Sequence, residues 1–208
     1  MFVKMTHHDR SEEIVARAIE LAQERGVAGV TTAILARRMG FTEAALYRYF
    51  PGKAAILGAC LDHLASAMFS SMAGELDPRA AGDTDAIAAQ LGRHVSHFTA
   101  HQGLALDLVV AAAATHNGGA LQEAADAFVN EYSHRVGAYF RQLQLAGLVS
   151  RLLPPDDWAR LWTCQLFGGF LRSRISKEEW QPVAQPGFAG FVKRIQQVDR
   201  REPAPAAV

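Results

Sequence analysis

Residues 31–53 of the chain read TTAILARRMGFTEAALYRYFPGK, and this stretch decides the fold of the N-terminal part. Two closely crossing helices need a small residue at the crossing and a residue that tolerates positive φ in the turn. They also need an apolar residue that packs the second helix onto the first. Ala36, Gly40 and Leu46 supply these three features in order. The stretch therefore predicts a helix-turn-helix.

The ends of the two predicted helices carry polar groups that suit contact with DNA. Thr31 and Thr42 belong to the residue types that cap helix N-termini. Residues 46–53 read LYRYFPGK and place aromatic hydroxyls, a guanidinium and an ammonium close together. Such groups donate hydrogen bonds to phosphates and base edges, and they are a costly choice for an apolar core. An ordinary pair of packed helices is the alternative, and these donors favour a DNA-binding motif.

The flanking segments also predict helices and no strands. A first helix is expected from about Arg10 to Arg25, with Asp9 as its N-cap and Gly26 as its end. Later helices are expected over about 53–73, 85–99, 103–116, 120–146 and 158–175, with a last helix after Pro186. The predicted fold class is all-α, with a three-helix head joined through a long helix to a helical body.

Composition and charge indicate the cellular compartment of the protein. The net charge is zero, and residues 1–60 hold eight Lys and Arg against six Asp and Glu. Two distant cysteines, Cys60 and Cys164, indicate buried free thiols in a reducing compartment. The N-terminus lacks the apolar stretch of a signal peptide, and the charge-free run 108–122 is too short to span a bilayer. A cytoplasmic protein without a membrane partner is expected.

Residues 10–57 resemble the DNA-binding domain of the tetracycline-repressor (TetR) family. The resemblance is carried by IVARA from residue 14, TT from 31, LARRMGFT from 35, ALYRYF from 45, and Lys53. It implies a homodimer that binds palindromic operator DNA, and a repressor that a small molecule releases. Residues 1–52 would form the DNA-binding domain, residues 53–199 would bind the effector and dimerise, and the Pro/Ala-rich tail 200–208 would be disordered.

The resemblance also assigns individual DNA contacts. Phosphate contacts are implied for Thr31, Thr32, Tyr47 and Lys53, and contacts to bases or the adjacent backbone for Thr42, Ala44, Ala45 and Arg48. Ala33 and Ile34 stand where polar residues are more common. Glu43 departs from the family pattern and has two interpretations. It can stabilise the helix start, or it can accept a hydrogen bond from the N4 amino group of a cytosine.

The body is predicted to hold an uncharged apolar or amphipathic organic molecule, because helical bundles bind ligands between their helices. The candidate effector-binding residues are Phe69, Met72, Phe98, His101, Trp162 and Phe167. The apolar faces of the two C-terminal helices are predicted to form the dimer interface through Leu161, Leu166, Phe170, Phe188, Phe191, Val192 and Ile195. His94, His97 and His101 share the spacing of a metal site. No metal is expected there, because no further ligand lies nearby on that helix face.

Two alternatives to a DNA-binding regulator stay open: a helical enzyme, and a dimerisation module that does not bind DNA. The sequence contains no nucleophile elbow, phosphate-binding loop, zinc-protease motif or dinucleotide fingerprint. No enzymatic activity and no cofactor are therefore expected.

Overall fold

The computed structural model describes residues 7–115, 118–176 and 186–195, apart from the side chains of residues 98–102 and 186–187. All regular structure in these ranges is helical, which confirms the predicted fold class. The α-helices are α1 His7–Arg25, α2 Thr32–Arg38, α3 Glu43–Leu46, α4 Lys53–Glu75, α5 Thr84–Ala113, α6 Ala120–Leu145, α7 Pro155–Ser176 and α8 Pro186–Ile195. Short 3-10 turns occupy Val27–Gly29 and Pro78–Ala80. The tail 200–208 lies outside the described residues.

The chain divides into two compact units. The first contains the residues up to Phe69 together with His101–Val129, and the second contains Ser70–Ala100 and the chain from Asn130 onward. Helices α4, α5 and α6 therefore each contribute to both units. The functional division predicted after residue 52 stays a prediction.

In the first unit, α1 packs on α2 and α2 packs on α3, around a small apolar core. Ile14, Leu21 and Leu35 have no exposed surface. Gly26 has φ 72° and ends α1 as predicted. The predicted N-cap at Asp9 is wrong, because the helix already begins at His7 and Asp9 lies within its first turn.

Helix α4 is long and apolar. By length and hydropathy, the described residues contain one candidate membrane span, Lys53–Ala80. Ile56, Leu57 and Leu61 in this segment are buried within the protein. Cys60 is also buried, and burial raises the pKa of its thiol to about 12. The apolar character of α4 is thus used in the protein core.

Helix α5 is continuous where the sequence predicted a break. It runs from Thr84 to Ala113 through Gly103. A glycine inside a helix costs about 1 kcal/mol relative to alanine. Leu91, Leu106 and Leu108 on this helix are fully buried, and their burial outweighs that cost. The predicted break at His101–Gly103 is therefore wrong.

The second unit has an aromatic core formed by α6, α7 and α8. The ring of Phe191 on α8 lies 5.4 Å from Trp162, 5.8 Å from Trp158 and 6.0 Å from Phe140, measured between ring centroids. Ser150 N also donates to Ile195 O at 3.0 Å, so the α6–α7 loop holds the end of α8. Side chains from well-separated parts of the sequence thus build this core.

Candidate nucleic-acid interface

The turn between α2 and α3 has the predicted geometry. Gly40 has φ 68°, in the left-handed region that favours glycine. Phe41 N donates to Ala36 O at 2.8 Å and closes the end of α2. Ala36 is buried, and Leu46 has no exposed surface. The second motif helix is therefore anchored from its inner face, which leaves its outer face available.

Both predicted N-caps are confirmed. Thr31 Oγ1 accepts from Ile34 N at 3.2 Å, and Thr42 Oγ1 accepts from Ala45 N at 3.1 Å. Each hydroxyl uses its oxygen for the cap and keeps a hydrogen that can be donated elsewhere. Both residues are exposed. The caps thus set the helix starts without excluding a contact to phosphate.

The outer face of α3 presents most of the residues assigned to DNA. Tyr47 follows the last residue of α3 and is 50% exposed, which is unusual for an aromatic side chain. Arg48 is exposed, and Ala45 is half-buried between the anchored and open faces. The exposed residues of this face are Thr42, Glu43, Ala44, Tyr47 and Arg48. The structure therefore brings the predicted contact residues onto one surface.

Glu43 has a partner that the sequence did not reveal. Thr32 Oγ1 donates to Glu43 Oε2 at 2.8 Å, which joins the first residues of α2 and α3. The two residues are eleven positions apart, a separation at which no local sequence rule predicts a contact. Glu43 therefore has a third possible role besides reading a base and stabilising the helix start: it accepts a hydrogen bond from Thr32.

Basic side chains next to the motif are held by contacts within the head. Arg38 forms two hydrogen bonds to Glu24, at 2.6 and 3.1 Å, which tie α2 to α1. The bond from Arg38 holds the pKa of Glu24 below its ordinary value. Lys53 Nζ donates to Ala28 O at 3.3 Å on the exposed surface. A phosphate contact by Lys53 would therefore compete with one exposed carbonyl group.

Residues 14–60, which contain this motif, match the family model described as "Bacterial regulatory proteins, tetR family". Residues 14–60 are therefore similar to bacterial regulatory proteins of the TetR family.

The chain is similar to known proteins both in sequence and in structure. The nucleoid occlusion factor SlmA of Haemophilus influenzae is 38% identical over 74 residues, which are 35% of this chain and 34% of that protein. The chain thus aligns with about a third of the length of these curated relatives. A TetR transcriptional regulator from Chloroflexus aurantiacus has a TM-score of 0.69 at 19% identity, covering 92% of this chain and 96% of its own. Reduced NemR of E. coli has the same TM-score and identity, covering 96% and 100%. The structural likeness supports the fold across both units.

Of the predicted effector-binding residues that the structure describes, Phe69, Trp162 and Phe167 do not line the groove described below, and their predicted role stays a prediction. Phe69 belongs to the first unit and stacks on Phe128, with 5.7 Å between ring centroids. Trp162 is buried in the aromatic core of the second unit, and Phe167 is half-buried on the same helix. The side chains of Phe98 and His101 lie outside the described residues.

Met72 does line a cavity, a groove of about 290 Å³ in the second unit. The other lining residues were not predicted, because they come from the end of α4, the 3-10 turn after it and the middle of α6. They are Ala73, Leu76, Pro78, Arg135, Ala138, Tyr139 and Gln142. Tyr139 is fixed beneath the groove, since its hydroxyl donates to Gln90 Oε1 at 2.8 Å. The groove has an apolar floor with an arginine and an amide among its lining residues.

A buried chain of hydrogen bonds crosses the second unit. Trp162 Nε1 donates to Tyr132 Oη at 2.9 Å, and Tyr132 Oη lies 3.1 Å from His94 Nε2. His94 Nδ1 lies 2.5 Å from Glu75 Oε2, and His97 Nδ1 contacts the other oxygen of Glu75. With the proton of His94 on Nδ1, every group in the chain has a complementary partner. Burial raises the pKa of Tyr132, which keeps its hydroxyl protonated and able to donate.

Glu75 explains the spacing of His94 and His97 noted in the sequence. Burial raises the pKa of Glu75. The hydrogen bonds to His94 and His97, and the positive charge that these histidines carry when protonated, together lower this pKa by more than burial raises it, so the net shift is downward. The carboxylate belongs to α4 and the histidines belong to α5, so the residue pattern of α5 alone does not predict this contact. Among the described residues, no group of three His, Cys, Asp or Glu side chains could hold a metal ion.

Most of the apolar residues predicted on α7 and α8 for the dimer interface lie inside the protomer and not on its surface. Leu166, Phe170, Phe188, Phe191 and Ile195 are buried within the protomer, and Val192 is half-buried. The protomer itself covers these five side chains, and their predicted role in a dimer interface stays a prediction. Of the predicted interface residues, Leu161 is the one that is well exposed.

The outer face of α7 presents a different set of residues at helical spacing: Leu161, Cys164, Gly168, Leu171 and Ile175. Cys164 is exposed, so the expectation of a buried thiol is wrong at this position. A Cβ atom built on Gly168 would meet nothing within 4 Å, so space is open above the middle of this face.

Proposed function

We propose that this chain is a DNA-binding transcriptional regulator of the TetR family that places α3 in the major groove. One observation carries the proposal: Tyr47 and Arg48 are exposed at the end of α3, while the buried side chain of Leu46 holds this helix against the core. An arginine and a tyrosine hydroxyl there can donate to base edges and to phosphates. The expected site of action is the cytoplasm, and the expected target is palindromic operator DNA.

The proposed regulator acts as a homodimer through the outer face of α7. Leu161, Leu171 and Ile175 leave 46%, 44% and 75% of their surface exposed. They follow one another at intervals that keep them on one face of the helix. Open space at Gly168 allows a second helix to approach closely. A two-fold axis at this face would place the outer face of α7 against the same face of the second protomer, as isologous interfaces require.

A small organic effector would release the DNA. The groove at Met72, Leu76 and Tyr139 supports this part of the proposal, because its volume lies near the lower end of ordinary ligand sites. Its lining favours an apolar or amphipathic molecule. By linkage, the effector must bind the state that cannot bind DNA more tightly than the state that can. A typical coupling free energy between effector binding and DNA binding is about 1–3 kcal/mol.

A second candidate function follows from the curated relatives, which are named nucleoid occlusion factors. The shared segment covers 35% of this chain. Such a role also begins with DNA binding, and genome-wide mapping of bound sites separates it from transcriptional regulation. Sites concentrated upstream of a few genes support the regulator, while sites dispersed over the chromosome support nucleoid occlusion.

The first experiment is a mobility-shift titration with DNA from the regions flanking the gene. The wild type should retard at least one fragment in the presence of excess random-sequence DNA. Arg48→Ala should lose the specific complex, whereas Arg93→Ala, which removes an equal charge from an exposed site on α5, should retain it. Loss of specific binding in both variants, or in neither, would contradict the assignment of α3.

A further inference from the structure

One hydrogen bond joins the first residues of the two motif helices. Thr32 Oγ1 donates to Glu43 Oε2 at 2.8 Å, between the start of α2 and the start of α3. Thr32 is half-buried and Glu43 is exposed. Both follow directly in sequence on the capping residues Thr31 and Thr42. The bond therefore lies within the surface that carries the assigned DNA contacts.

Glu43 brings an uncompensated charge to this surface. Within the described part of the chain, Glu43 takes part in no ion pair, and Thr32 is its side-chain hydrogen-bond partner. A hydrogen bond from a neutral hydroxyl orients the carboxylate but leaves its charge in place. DNA that approaches this surface thus meets a negative charge at a fixed position.

Thr32 cannot serve Glu43 and a phosphate at the same time. Its hydroxyl has one hydrogen, which can be donated to the carboxylate or to a phosphate oxygen. A phosphate that takes this hydrogen displaces Glu43 and also comes close to its negative charge. Contact between the DNA backbone and Thr32 is therefore opposed twice, by a lost hydrogen bond and by like-charge repulsion.

We propose that Glu43 controls DNA specificity through Thr32, by withholding the Thr32 hydroxyl from backbone phosphates, without reading a base. The inference rests on the proposed DNA binding. Non-specific binding depends almost wholly on phosphate contacts, whereas specific binding adds contacts to base edges. A penalty on phosphate contact therefore weakens non-specific binding by the larger proportion. Glu43 lowers overall affinity and raises the ratio of specific to non-specific binding.

A double-mutant cycle on Glu43 and Thr32 tests the proposal. The probes are a pool of random-sequence duplexes and a duplex that the wild type selects from that pool. Glu43→Ala should bind the random pool about 2- to 10-fold more tightly at low salt, with a smaller gain for the selected duplex. Thr32→Val should leave random-pool affinity unchanged in the wild type. In the Glu43→Ala background it should weaken that affinity by about 2- to 10-fold, because the hydroxyl is then available to phosphate.

Two further variants separate the charge from the hydrogen bond. Glu43→Gln keeps an acceptor for Thr32 and removes the charge, so it should show part of the gain in random-pool affinity. Glu123→Ala removes the same charge from an exposed position on α6 and should change neither affinity nor the salt slope. Thermal melting of each variant verifies that the protein is folded.

Three outcomes would overturn the proposal. Equal effects of Thr32→Val in both backgrounds would mean that its hydroxyl reaches phosphate regardless of Glu43. A sequence selection in which Glu43→Ala loses preference at one base pair would make Glu43 a base-reading residue. Both results leave DNA binding itself intact. A folded wild type that binds neither probe at low salt would overturn the proposed function together with the role of Glu43.

Discussion

Replacing Phe191 and Leu171 separately should distinguish the core of the protomer from the surface that pairs two protomers. Phe191 is 6% exposed and its ring contacts three aromatic rings of the same protomer. Truncating a buried phenylalanine to alanine costs about 3–5 kcal/mol, because apolar burial is lost and a cavity remains. For a chain of this length that corresponds to a fall in melting temperature of roughly 6–20 °C. Phe191→Ala should therefore act first on stability.

Leu171→Glu should have the opposite profile. Leu171 is 44% exposed, so its replacement should change the intrinsic stability of the protomer by less than about 0.5 kcal/mol. In a two-fold interface the new carboxylate would be buried close to its own copy, and an unpaired buried charge opposes association strongly. This variant should be a folded monomer that has lost affinity for a palindromic site.

The assay combines sedimentation velocity over a concentration series with thermal melting at matched concentrations, because dimerisation makes the melting temperature concentration-dependent. Leu145→Glu is the matched control, since Leu145 is 69% exposed at the end of α6 and does not belong to the outer face of α7. A Phe191→Ala protein that melts like the wild type but sediments as a monomer would refute the inward placement of α8. A Leu171→Glu protein that stays dimeric would refute the α7 interface.

Three further substitutions have defined outcomes. Tyr132→Phe removes the acceptor of the buried Trp162 indole N–H, so we expect a loss of about 1–3 kcal/mol in chemical denaturation; an unchanged midpoint would contradict the hydrogen-bond chain. The pKa of Glu75 is lower in the folded protein than its ordinary value of 4.5. Its carboxylate therefore stabilises the folded state at pH values above 4.5, and this stabilisation is lost as the pH falls through the pKa of the folded state. Glu75→Gln should accordingly destabilise the protein near neutral pH and converge with the wild type in acid; a difference independent of pH would refute the carboxylate's role. Lys53→Ala should weaken binding to all DNA sequences about equally and lower the salt slope by roughly one unit, and a changed sequence preference would exclude a pure phosphate contact.

The helix-turn-helix could be predicted from the sequence because each of its determinants is local. Capping by Thr31 and Thr42 depends on an amide three residues away, and the turn depends on the backbone freedom of Gly40 alone. Helix spacing likewise indicated that Leu46 faces inward. These interactions operate within one or two helical turns, so the order of residues is sufficient to predict them.

The sequence also determined the all-α class, but it did not determine what each helix face would meet. An apolar stripe indicates only that a surface is covered, and whether Phe191 packs on Trp162 or on a second protomer depends on the path of the chain between them. His94 showed the same limit, since its spacing on α5 was visible while its partner Glu75 lies on α4. Thr32 and Glu43 likewise meet only because the turn folds α3 back onto α2. Such contacts are decided by tertiary structure, because they depend on how helices cross and not on the periodicity of any one helix.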